Sequence, residues 1–94
     1  MSEASVIARA EKAQRILNDE LFNEAFANTR KAIFEAIERT PIRDDEGLHH
    51  LRLCLKLLQD VKANLTATLN DGKVAEFRLA QQKRDAELRD YKVR

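Results

Sequence analysis

The stretch Asp44–Gly72, DDEGLHHLRLCLKLLQDVKANLTATLNDG, decides how this chain folds. Leu48, Leu51, Leu55, Leu58, Leu65 and Leu69 recur at helical spacing, with Cys54, Val61 and Thr68 beside them. The pattern predicts a single helix of about six turns. Leu53 and Leu57 fall outside that stripe. At about 100° per residue they widen the apolar arc of the first half to roughly 220°, against the ~100° stripe of an ordinary surface helix. One partner helix cannot cover such an arc, so the long helix requires neighbours on two sides.

Composition agrees with helices. Of 94 residues, 35% are charged, 44% are hydrophobic, and Gly and Pro together number three. Few breakers among many Ala, Leu, Glu, Lys and Arg favour long helices in one small domain, 1–94. A net charge of +1 argues against a strongly basic nucleic-acid binder. One cysteine, Cys54, excludes an internal disulfide and suits a reducing compartment. The start Met1–Ala4 lacks the basic and apolar runs of a signal peptide, and no stretch carries 18 uninterrupted apolar residues. The expectation is a cytoplasmic protein with no membrane partner.

Outward from the long helix, Pro41-Ile42-Arg43 is a short connector and Asp44 an N-cap, with Asp45 and Glu46 in the first turn. Thr40-Pro41 ends the preceding helix, because the residue before proline is pushed out of the α region. That helix carries Phe22, Phe26, Thr29, Ile33 and Ile37 on one face; Phe34 lies about 100° away. A short connector makes antiparallel neighbours, so 19–71 reads as a helical hairpin. Before it, Asn18-Asp19-Glu20 separates a flanking helix, 1–17, capped at Ser2 or Ser5, with Val6, Ala10, Ala13 and Leu17 on one narrow face. After it, Asn70-Asp71-Gly72 reads as a helix stop, with Gly72 suited to the left-handed position past a C-terminus. A separate C-terminal helix, 73–94, carries Val74, Phe77, Leu88 and Tyr91, interrupted by Gln81 and Arg84, and is expected to fray after about residue 85. It holds seven basic and four acidic side chains, a local charge of +3.

Candidate chemistry is sparse. His50 and Cys54 are four apart and share a helical face, but two ligands make no structural metal site without a symmetric partner. No serine or cysteine has a base and an orienting group at matched spacing, and there is no glycine-rich phosphate loop. The expectation is therefore no enzyme, no cofactor and no metal. Basic pairs such as Arg30-Lys31 and Lys83-Arg84 are diluted by nearby acids, as on an ordinary solvated face. Arg39, Arg43, His49 and His50 gather near the hairpin bend and are the candidate residues for an anionic ligand such as a nucleotide. Leu53, Leu57, Val61 and Phe34 are the candidate oligomer interface, because the flanking helices have thin apolar faces.

Three stretches carry a resemblance: Ile16-Leu17-Asn18-Asp19-Glu20-Leu21-Phe22 with Glu24-Ala25-Phe26; Thr40-Pro41 through Asp44-Asp45-Glu46-Gly47; and Asn70-Asp71-Gly72-Lys73 with Ala75. Their order resembles short all-helical proteins of tailed bacteriophages and prophages, and is more distantly similar to the small-terminase-like protein of gene transfer agents. The likeness covers residues 5–80. Glu20 stands where such relatives have proline after the Asn-Asp step. The resemblance implies a phage setting and transfers no site residue.

The combined expectation is an all-α chain, a long antiparallel hairpin with a short flanking helix at each end, assembled as a homo-oligomer. The matching function is a non-enzymatic phage accessory protein, an adaptor in genome packaging or virion assembly that recruits a larger phage or host protein. The alternative is an anti-defence protein that sequesters a nucleotide signal or binds a host defence protein.

Overall fold

The computed structural model describes the backbone of residues 2–93 and the side chains of residues 2–89. Among the described residues the chain is all-α, with three helices: α1 (Glu3–Leu17), α2 (Glu20–Arg39) and α3 (Asp45–Val93). Each start is fixed by a local cap. The Ser2 hydroxyl accepts from the Ser5 N–H at 3.2 Å, Asp19 Oδ1 from the Phe22 N–H at 2.8 Å, and Asp44 Oδ1 from the Gly47 N–H at 2.9 Å. Such side chains satisfy amide groups that the first helical turn leaves without partners.

The α1–α2 corner is tied by Asn23. Its side-chain amide donates to the Leu17 carbonyl at 2.9 Å and to the Asp19 carbonyl at 3.0 Å, so one residue closes the end of α1 and braces the start of α2. At the other end of α2, Thr40 Oγ1 donates to the Ala36 carbonyl at 2.7 Å, and the backbone leaves the helix at an extended ψ of 128° ahead of Pro41. The Asp44 N–H then donates to the Pro41 carbonyl at 2.9 Å and turns the chain into α3.

Two expectations need correction. The helix does not stop at Gly72: α3 runs unbroken for 49 residues, and no glycine has a positive φ. The segment from residue 73 is therefore the second half of α3, which continues to Val93, and not a separate helix. The reason for Gly72 is contact, not capping. It is buried where α1 crosses α3, and a Cβ added there would run into the Ala10 Cβ. Ala10, Ala13 and Ala75 are the buried apolar residues around it. The spacing of four and three in Val6-Ala10-Ala13 is repeated in Thr68-Gly72-Ala75, so two surfaces of small residues meet at close range. Later residues of α1 meet earlier residues of α3: Glu3 and Val6 share a cleft with Val74, Ala75 and Arg78, while Val6 and Arg9 share one with Thr68 and Asp71.

The predicted apolar faces of α2 and α3 are half-buried rather than sealed. Phe22, Phe26, Ile33 and Ile37 form that face on α2, and Leu48, Leu51, Leu55, Leu58, Leu65 and Leu69 on α3. Thr29 faces solvent instead, its hydroxyl donating to the Ala25 carbonyl at 2.9 Å. Phe22 and Phe26 are tilted together with ring centroids 6.2 Å apart, and Lys62 Nζ stands 4.8 Å over the Phe26 ring. No large side chain among the described residues is fully buried.

The molecule is long, 77 × 26 × 18 Å, with a radius of gyration of 21.4 Å. A compact chain of this length has a radius near 12 Å. Its accessible surface is 7872 Å², roughly 2,300 Å² more than the about 5,500 Å² expected of a compact 10.8 kDa monomer.

Candidate functional site

The surplus surface is apolar in two places on α3. The first is the ridge Leu53, Leu57 and Val61, exposed by 45%, 57% and 54%. The second is the distal half, where Val74, Phe77 and Leu88 are all about half exposed or more.

The ridge has a definite relation to the rest of the fold. Leu57 and Ala75 are eighteen residues apart, which at 3.6 residues per turn is about five whole turns. They therefore share one angular position on α3. By the same step Leu53 aligns with Asp71, and Cys54 with Gly72. The ridge is thus the continuation of the face on which α1 lies. α1 covers that face around Thr68–Ala75 and ends at Leu17, leaving its extension toward the start of α3 without a helix over it.

Phe34, the fourth candidate interface residue, is not part of this ridge. It is 40% exposed on α2, with the Arg30 guanidinium 5.1 Å from its ring centroid. Arg30 in turn lines a groove of about 820 Å³ between residues of α2 and α3, among them Phe26, Gln59, Lys62, Thr66 and Asn70. The α3 side of that groove is turned roughly 150° from the ridge. No carboxylate lines it, so Arg30 and Lys62 form a positive pair beside two aromatic rings. The sequence separates these two cations by a helix end and a turn, and only the folded chain joins them.

Arg39, Arg43, His49 and His50 are exposed at the opposite end of the α2–α3 pair, around the 40–44 connection. There, His50 Nε2 lies 3.9 Å from Cys54 Sγ. Among the described residues no group of three or more His, Cys, Asp or Glu side chains is placed to hold a metal ion. No helix among them is long and apolar enough to cross a membrane.

Ion pairs contribute little to the surface. Lys31–Glu35 at 4.0 Å and Lys56–Asp60 at 3.8 Å are exposed pairs four residues apart on one helix. Pairs of this kind stabilise an isolated helix by about 0.2–0.5 kcal/mol. Compared with family models, curated proteins and solved structures, the chain gave no match.

Proposed function

We propose that this chain is a non-enzymatic assembly protein. In this reading α2 and α3 form an antiparallel hairpin, and α3 joins copies of the chain into a homo-oligomer. One observation carries it: a single subunit exposes roughly 2,300 Å² more surface than a compact chain of its mass, with Leu53, Leu57 and Val61 about half exposed along one ridge. An exposed apolar row widening a helix's buried stripe is a surface on which a further helix can pack. The resemblance of the capping and turn segments to phage proteins supports a setting in tailed-phage genome packaging or virion assembly. There the oligomer acts as an adaptor for a larger protein, in the cytoplasm of an infected bacterium.

The test is multi-angle light scattering on the wild-type chain and on Leu53→Glu/Leu57→Glu at matched micromolar concentration. The wild type is expected at a multiple of the 10.8 kDa chain mass, and the variant at a lower mass with unchanged helicity. Equal masses for the two proteins remove the ridge from the assembly.

A second reading is favoured by the groove. Arg30 and Lys62, with no lining carboxylate and with Phe26 beside them, suit an anionic, planar ligand such as a nucleotide signal. A ligand held only by the folded state raises the melting temperature. Thermal shift with a panel of nucleotides therefore separates the readings, and no shift with any of them counts against sequestration.

A further inference from the structure

We propose that the occupant of the Leu53–Leu57–Val61 ridge is the same ridge of a second copy, the two α3 helices crossing about a two-fold axis at Leu57. The inference rests on the self-assembly reading and adds to it the face, the symmetry and the central residue.

Three observations converge on this occupant. The ridge lies on the face of α3 that already accepts a helix, since Leu57 repeats the angular position of the buried Ala75. Its residues follow one another at intervals of four. Ridges of that spacing interdigitate with their own kind at a crossing angle near −50°. That inclination carries the second α3 away from α1, which occupies the same face farther along.

The charges beside the ridge fit the same symmetry. Lys56 and Asp60 lie on one flank, on opposite sides of Leu57 along the helix. A two-fold axis at Leu57 with antiparallel helices turns Lys56 of each copy toward Asp60 of the other. Within one subunit the two side chains only approach to 3.8 Å and stay 70% and 53% exposed, so both are free to exchange partners. The distal apolar residues are a poorer self-matching surface, because Gln81 and Arg84 divide Phe77 from Leu88.

Cysteine cross-linking tests the geometry. Helix axes 8–10 Å apart, each with Cα atoms on a cylinder of about 2.3 Å radius, bring facing Cα atoms to about 4–5 Å, within disulfide range. In a Cys54→Ser background, Leu57→Cys is expected to form a covalent dimer under mild oxidation at micromolar concentration. Leu53→Cys alone is expected to stay uncross-linked, and to yield covalent dimers when mixed with Val61→Cys, since the axis sets 53 against 61. All three positions are exposed, and circular dichroism of each variant checks that its helices are kept. Self-cross-linking of Leu53→Cys as efficient as that of Leu57→Cys overturns the two-fold arrangement in favour of a parallel one. No cross-link at Leu57→Cys, with a light-scattering mass above one chain, overturns this interface and leaves self-assembly standing. A single-chain mass for the wild type overturns both.

Discussion

Substitution of Gly72 separates the two physical explanations for a glycine at that point. In Gly72→Ala the new Cβ meets the Ala10 Cβ where α1 crosses α3, with the Ala10 Cα 3.5 Å and the Val6 carbonyl oxygen 3.6 Å away. Carbon atoms pack best about 3.5–4.0 Å apart, so the helices must separate by on the order of 1–2 Å at the crossing. Overpacking of a closely fitted contact costs about 1–3 kcal/mol. Alanine in place of glycine inside a helix returns about 1 kcal/mol. The net expectation is destabilisation of about 0–2 kcal/mol for Gly72→Ala and more for Gly72→Leu. A glycine cap would also be harmed by alanine, so the single variant does not discriminate. The double variant Gly72→Ala/Ala10→Gly does, because it moves the methyl group from one helix to the other. Ala10→Gly alone should cost about 1 kcal/mol through helix propensity. The pair should then be more stable than the sum of the singles by about 1–2 kcal/mol, within the range that residues in contact show in such cycles. Urea unfolding followed at 222 nm, at one fixed protein concentration, measures all four proteins. Additivity within about 0.5 kcal/mol would refute the close-contact explanation.

Other consequences are separately measurable. Asn23→Ala removes both bonds at the α1–α2 corner and should lower stability by about 1–2 kcal/mol in urea melts; a loss below about 0.3 kcal/mol would show that water replaces the amide at no cost. Asp19→Ala, which deletes the α2 cap, should cost about 1 kcal/mol, and helicity lost from α2 should appear in amide exchange of residues 20–23. Lys31→Ala should change stability by less than about 0.5 kcal/mol, since its pair with Glu35 is exposed. Removing residues 80–94 should leave the unfolding transition of the remainder cooperative and its midpoint nearly unchanged, because Glu3, the first residue of α1, shares a cleft with α3 residues from Asp71 to Arg78; a broadened transition would mean that the distal half of α3 supports the α1 seat.

Local chemistry was readable in the residues, and long-range contact was not. Asp19 and Asp44 stand where cap rules put them, and Ser2 is one of two serines that the same rules allow. The half-buried leucines of α3 from Leu48 to Leu69 follow from periodicity alone. Gly72 misled for a physical reason. Asn-Asp-Gly is a stop signal by local rules, yet the glycine answers to Ala10, sixty-two residues earlier in the chain. The matched four-and-three spacing of small residues around Ala10 and around Gly72 is the signal that distinguishes a crossing from a cap. Leu53, Leu57 and Val61 were singled out by the width of the apolar arc, and the folded subunit leaves all three exposed. Phe34 and the pair Arg30 and Lys62 depend on how α2 lies beside α3, which no periodicity within one helix encodes.

The account depends on a subunit that cannot cover its own apolar surface. Sedimentation equilibrium of the wild-type chain across a range from about 1 to 100 μM tests this most directly. The predicted result is a mass at or approaching a fixed multiple of 10.8 kDa, falling toward one chain only on dilution. A mass of one chain at every concentration would contradict it.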